Sequence, residues 1–194
     1  MVACGLTTVL SHMARERGRI TQSKLIQQWG ALPTTLWLRH SNNSLDKQTK
    51  QRYHHFLEQK VSGWIPPTEQ EESLNPTEAD AKYGSAVKWL LEHTRDKKKY
   101  SLILKENISY GFRRNTYGLK PFGLLLSLVI FTVGILCFYK QPVALLIDKN
   151  LPQLCAIIFC FMMFLWWVFG VTKEWVRDSA DAYARSLLAA CEKI

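Results

Sequence analysis

Two runs without a charged side chain, residues 121–139 and 151–171, limit what this chain can fold into more than any other feature. Each is roughly 20 residues long, and at about 1.5 Å rise per residue such a helix crosses the ~30 Å hydrocarbon core of a bilayer. A helix packed on a soluble core keeps one polar face, and neither run has one. The expectation is two transmembrane helices. Residues 140–150, with Pro142 and Pro152 near the ends of the connection, are too few to hold a domain, so the pair reads as a helical hairpin with an external loop.

Charge placement orients the hairpin. Arg113, Arg114 and Lys120 precede the first run, Lys173 and Arg177 follow the second, and the loop holds just Lys140 and Lys149 of the 25 Lys and Arg residues. The positive-inside bias then puts both termini in the cytoplasm. A cation beside an anionic leaflet also gains roughly 1 kcal/mol. The net charge of +9 is therefore read as membrane-facing, with nucleic acid the disfavoured partner. MVACGLTTVL at the start is apolar, but its charges (Arg15, Arg17, Arg19) come after it, the reverse of a secretory signal. The spans are expected to be internal and permanent.

The stretch 1–110 reads as a cytoplasmic domain of short helices joined by Pro, Gly and Asn. TQSKLIQQWG offers Thr21 as an N-cap and Gly30 as a stop, whereas LPTTLWLRH is a short apolar piece that periodicity does not assign. SNNSLDKQTKQRYHHFLEQKVSG puts Tyr53, Phe56, Leu57 and Val61 on one face and ends at Gly63. The clearest helix is NPTEADAKYGSAVKWLLEHTRDKKK. Asn75 is its cap, Pro76 its first residue, Glu78 completes a box-like pattern, and Ala79, Tyr83, Ala86, Val87, Leu90 and Leu91 recur at helical spacing. TEQEES before it is an acidic turn or short helix. YSLILKENISYGF fits strand or helix, and a helix leading to the membrane is favoured. Residues 172–194 form a strongly amphipathic helix, suited to pack on the helical domain or on a copy of itself. The fold class expected is an all-α membrane protein, with a cytoplasmic helical domain (1–110), a basic and aromatic juxtamembrane segment (111–120), two spans (121–139 and 151–171) and a C-terminal amphipathic helix (172–194).

Candidate site residues fall into three groups. Phe112, Arg113, Arg114, Tyr117 and Lys120 before the first span, and Trp166, Trp167, Lys173 and Trp175 at the inner end of the second, form an interfacial anchoring belt. Interleaved Arg and aromatic residues also suit stacking on single-stranded nucleic acid, but the matching tryptophans favour the belt. Gly123, Ser127 and Gly134 on the first span, with Ala156 and Cys160 on the second, permit close helix approach, either between copies or within one hairpin. A low-ranking polar group comprises Arg39, His40, His54 and His55. Adjacent histidines on a helix point about 100° apart and cannot share a metal as an i, i+4 pair would. One of them is expected buried and the other solvated.

No cofactor and no metal site is expected. The five cysteines form no CxxC pair and no ligand spacing with the five histidines. Cys137 and Cys155 near the outer span ends read as small packing residues, or else as an oxidised clip outside the cytoplasm. A Gly-rich phosphate loop, GxSxG and paired carboxylates are absent from the sequence. The spans carry no mid-membrane ionisable group of the transporter kind.

LPTTLWLRH (32–40), LDKQTKQRYHHFL (45–57) and YGFRRNTYGLKPFGL (110–124) resemble an uncharacterised family of small bacterial inner-membrane proteins, with a helical cytoplasmic part and C-terminal spans. The resemblance covers about residues 20–125 and implies a bacterial inner (plasma) membrane location, with no activity attached. The plan is also similar to that of membrane effectors of bacterial defence loci, a likeness of architecture alone. The function expected is a non-enzymatic, homo-oligomeric membrane protein. Its cytoplasmic part would bind a protein partner or signal and its hairpins would assemble in the bilayer, as a pore-forming effector or as a scaffold. The rival readings are a membrane-anchored enzyme acting on a nucleotide or lipid through Arg39, His40, His54 or His55, and a membrane tether for a soluble complex.

Overall fold

The computed structural model describes residues 2–139 and 151–193, and every regular element among them is a helix. In order these are α1 (Val2–Trp29), α2 (Pro33–Leu36), α3 (Lys47–Lys60), α4 (Glu69–Leu74), α5 (Pro76–His93), α6 (Ser101–Tyr139), α7 (Leu151–Leu165) and α8 (Lys173–Leu188). A π-helical turn (Trp166–Gly170) extends α7, and a 3-10 turn (Ala189–Glu192) extends α8. The external loop expected at 140–150 lies outside the described residues.

Helix ends follow their capping chemistry. Asp46 accepts the Thr49 amide at 2.9 Å to start α3. Thr68 and Glu71 close a reciprocal capping box on α4, and Asn75 accepts the Glu78 amide ahead of Pro76 on α5. Each satisfies an amide that the first helical turn leaves open. Gly30 and Gly63 follow α1 and α3 with φ of +88° and +71°, a region open to glycine at little steric cost.

Two sequence expectations change. Thr21 is no cap, because α1 runs through it from Val2 to Trp29. The region 101–139 is one helix, so the first apolar run has no separate start and Pro121 lies inside α6. Proline lacks the amide that would bond four residues back, but its φ suits a helix, and the remaining hydrogen bonds carry the helix past it. The undecided piece 32–40 contains the short α2.

The chain divides into two compact units, and α1, α6 and α8 each contribute to both. The first comprises Met1–Thr21 and Arg113–Val176, and the second Gln22–Phe112 and Arg177–Ile194. In the second, α2, α3, α5, the start of α6 and the end of α8 bury one core. Leu38, Leu57, Tyr83, Leu90, Leu187 and Leu188 lie at its centre, fully out of solvent. The amphipathic C-terminal segment thus packs on the helical domain: Ala184, Leu187, Ala190 and Cys191 belong to this core. Two tryptophans tie polar groups to it. Trp37 Nε1 donates to Asp181 Oδ1 at 3.2 Å, and Trp64 Nε1 donates to the Lys82 carbonyl at 2.8 Å.

The first unit is built differently. The most apolar 18-residue stretches of α6, and of α7 together with its π-turn, have 6% and 0% of their residues buried within the protein. A core helix of a soluble protein would be mostly covered. Leu125, Leu126, Ile130, Ile158 and Phe159 instead stand exposed.

Leu90→Ala should destabilise the second unit by about 2–5 kcal/mol, the usual range for emptying a fully buried leucine site. A lowered thermal midpoint by circular dichroism in mild detergent checks it, and an unchanged midpoint would contradict the core assignment.

Candidate functional site

The polar group of residues 39–55 surrounds one buried carboxylate. Glu72, on α4, is 7% exposed. It accepts from the His40 amide (2.7 Å), the Ser41 amide (3.1 Å), the Ser41 hydroxyl (2.7 Å) and the Tyr83 hydroxyl (3.0 Å). Burial works against its charge, but these bonds prevail and hold its carboxyl below the ordinary value. The loop from Arg39 to Asn42 is fastened from its other side by Lys50. The Lys50 ammonium donates to the carbonyls of Arg39 (2.7 Å), His40 (3.3 Å) and Asn42. Desolvation lowers the Lys50 pKa.

Arg39 forms a fork onto Asp80 of α5, with Nε donating to Oδ1 at 2.7 Å and Nη2 to Oδ2. That bond raises its pKa further. His40 donates from Nε2 to the Pro67 carbonyl (2.8 Å), and its ring lies 5.2 Å from that of His54. His54 is 6% exposed, donates from Nε2 to the Leu38 carbonyl (2.8 Å) and stacks on Tyr83 at 5.6 Å. Burial pushes its pKa down to about 4, so the ring is neutral at physiological pH. His55 points the other way, exposed beside Gln59. The structure therefore brings Arg39, His40 and His54 together and leaves His55 apart. It adds Lys50, Glu72 and Asp80, which the sequence reading missed, and the hydroxyl of Tyr83, which was read there only as a core residue. Their shared signal was weak, since a buried Lys on α3 looks like any exposed lysine in the one-dimensional pattern.

A recess beside this network is lined by His40, Asn43, Lys47, Lys50, Gln51 and His54. The side chains at its base are committed. Lys50 is spent on carbonyls, His54 on Leu38 and His40 on Pro67. Such a network holds an irregular loop against a helical core, a structural use of buried charge.

In the first unit the residues expected to form the anchoring belt make specific contacts. Lys120 Nζ donates to the carbonyls of Val168 (3.1 Å) and Val171 (2.8 Å), at the end of the π-helical turn. Carbonyls at a helix C-terminus lack intrahelical donors, and a cation there also meets the negative end of the helix dipole. Arg113 Nη1 donates to the Trp175 carbonyl (2.9 Å), and its guanidinium stacks on the Trp175 ring at 5.1 Å. Trp166 contacts Trp167 and Trp175 edge to face. Arg114 turns to Asn115 (3.1 Å), Tyr117 is half-buried, and Phe112 and Lys173 are exposed.

Of the small residues, Gly123 lies against the Trp167 ring, which an added Cβ would overlap, and a Cβ on Gly134 would stand 3.0 Å from Ile157. Ser127 is buried, its hydroxyl donating to the Gly123 carbonyl at 2.7 Å. Both glycines thus serve contacts within one hairpin. Ala156 is exposed and Cys160 half-buried, while Cys137 and Cys155 are exposed free thiols rather than a clip. Among the described residues no three His, Cys, Asp or Glu side chains gather as a metal set.

Two outcomes test these placements. His54 binds its proton more weakly folded (about 4) than unfolded (near 6.5), so the unfolded state takes up the extra proton between those values. Stability present above about pH 6.5 is therefore lost as pH falls toward 4. His54→Gln should flatten this part of the melting-temperature profile, and a profile with the wild-type slope would contradict the buried neutral ring. Gly123→Leu should destabilise the hairpin by about 1–3 kcal/mol through overpacking on Trp167, read as a lower melting temperature in detergent. No protein-family model, no curated protein and no solved structure matches the chain.

Proposed function

We propose that this chain is a two-span membrane protein whose hairpins associate in the bilayer, while its helical domain binds a protein partner or signal in the cytoplasm. The observation that carries the membrane reading is the apolar surface of α6 and α7, which the protein leaves almost wholly uncovered. Such surface in water would be a strong aggregation liability, whereas acyl chains cover it without cost. Length agrees. At about 1.5 Å per residue the 39 residues of α6 extend roughly 58 Å, close to twice the ~30 Å hydrocarbon core. The uncharged half spans the core, and the half carrying Lys105, Glu106, Arg113 and Arg114 stays on the cytoplasmic side.

The Lys120 clasp on Val168 and Val171 supports this depth. It sets the polar ends of both spans at one level, where the ammonium reaches headgroups and no helix-end carbonyl is stranded in lipid. Trp166, Trp167 and Trp175 gather at the same level, as interfacial aromatics do.

Association is the second half of the proposal. Gly123 and Gly134 are occupied within the hairpin, so copies would meet through the outward faces of α6 and α7 and through the exposed Ala156. In its sharper form, a cytoplasmic trigger rearranges that assembly and permeabilises the membrane, as an effector in bacterial defence. In its plainer form, the assembly scaffolds a soluble partner. The catalytic alternative draws no support from the polar network, whose basic groups are engaged in holding the 39–42 loop.

Reconstitution into phospholipid vesicles tests both halves. The chain should resist extraction by alkaline carbonate, and oxidation should cross-link copies through the exposed Cys137 or Cys155. Recovery in the aqueous fraction would end the membrane reading. Monomer alone, by cross-linking and by native mass in mild detergent, would end the oligomeric one. Release of a trapped dye on addition of the partner separates effector from scaffold.

A further inference from the structure

Polarity changes abruptly along α1. Between residues 2 and 14 there is no Lys, Arg, Asp or Glu, whereas Arg15, Glu16, Arg17 and Arg19 follow in close succession. Both stretches belong to one helix. Val9, Leu10 and Met13 are 57%, 54% and 51% exposed, and a Cβ added to Gly5 would meet nothing within 4 Å. Val9, Leu10 and Met13 are thus apolar side chains that the described protein leaves bare, among the exposed but uncharged or weakly basic Thr7, Thr8, Ser11 and His12.

Contacts at the far end of the apolar stretch fix where it sits. Gly18 is buried, and a Cβ there would overlap the Asn115 side chain. Gly118 packs on the Arg17 backbone and the Thr21 hydroxyl, at 3.0 and 2.9 Å from its would-be Cβ. The Arg17 guanidinium stacks 5.0 Å over the Phe122 ring. Phe122 is the second residue past Lys120, whose ammonium closes the end of the α7 π-turn. The arginine cluster of α1 is thereby held at the level where both apolar spans begin. Met1–Thr21 also clusters with Arg113–Val176, the unit that contains those spans, rather than with the aqueous core.

We infer that residues 2–13 of α1 insert among lipid acyl chains as a third membrane-embedded segment, anchored at headgroup depth by Arg15, Arg17 and Arg19. At about 1.5 Å per residue the segment reaches roughly 18 Å, just beyond the ~15 Å of one leaflet and short of the ~30 Å core, so it enters without spanning. The guanidinium groups select anionic phosphate headgroups over a neutral partner surface. The segment belongs to the same compact unit as the apolar stretches of α6 and α7, and Arg17 meets Phe122 at the start of the first of them, which is the reason to assign lipid as its occupant. The Ser11 hydroxyl donates to the Thr8 carbonyl at 2.8 Å, so its proton needs no water. The inference rests on the membrane reading of α6 and α7. It revises the expectation that the amino-terminal segment lies in the cytoplasm.

The test uses the full chain in phosphatidylethanolamine–phosphatidylglycerol vesicles, with the native cysteines replaced by alanine. A nitroxide label is placed at Leu10→Cys, at Leu126→Cys on α6, or at Ile65→Cys, an exposed loop position of the second unit. Collision rates with oxygen, which concentrates in lipid, and with a water-soluble nickel chelate are compared. The expected result is an oxygen-to-nickel ratio at Leu10 several-fold above that at Ile65 and close to that at Leu126. A ratio at Leu10 equal to that at Ile65, with Leu126 lipid-like, overturns this inference and leaves the hairpin standing. An aqueous ratio at Leu126 overturns the hairpin and this inference together. Low collision with both reagents at Leu10 means another copy covers the segment, which also overturns it. Should the alanine background misfold, hydrogen exchange of the unaltered protein in the same vesicles decides. Exchange over residues 5–13 as slow as over 125–133 supports insertion, and exchange as fast as over 61–67 refutes it.

Discussion

Apolar surface that the protein does not cover for itself is the constraint from which the rest follows. In the second unit the ordinary rule holds: Leu57, Tyr83, Leu90 and Leu187 are wrapped by neighbouring helices and leave the solvent entirely. In the first unit leucines, isoleucines and phenylalanines of α6 and α7 face outward. One chain thus carries two solvation regimes, and three of its helices take part in both. The hydrophobic effect folds the second unit in water. In the first unit, helix–helix packing relies on close contact, as where Gly123 admits the Trp167 ring.

Polar chemistry in the first unit ties its helices to one another. Lys120 supplies donors to two carbonyls at the end of the π-turn, and Arg113 does the same for Trp175 while stacking on its ring. Lys120 thus closes the end of the π-turn, and Arg113 ties α6 to the first turn of α8. Both cations hold separate helices of the first unit together. The Glu72 and Lys50 network does comparable work in the second unit, where it pins an irregular loop that has few backbone partners of its own.

Much of this architecture was readable from residue order. The cap and helix of 75–93, the face formed by Tyr53 and Leu57, the amphipathic C-terminal helix and the unequal fates of His54 and His55 all follow from local rules of capping and periodicity. Thr21 misled because a hydroxyl residue before an apolar run is a cap only if the helix begins there, and nothing local stops α1 from starting earlier. Pro121 misled similarly. The expected span began at it, yet one helix runs through it from Ser101. The partners of Arg39 and Lys50 were invisible, because Asp80 lies 41 positions away from Arg39 and the carbonyls that Lys50 binds carry no sequence signature.

The sequence by itself determined the helical class of the apolar runs and the asymmetry of charge around them, since both depend on composition along one rod and on the length needed to cross lipid. Tertiary structure decided which small residues serve the hairpin's own packing, which cations close helix ends, and which polar side chains share a buried carboxylate. Those outcomes depend on distances between residues far apart in the chain, such as Lys120 and Val171 or Ser41 and Glu72. Periodicity constrains which face a residue occupies, but the neighbour it meets there is chosen only when separate helices pack.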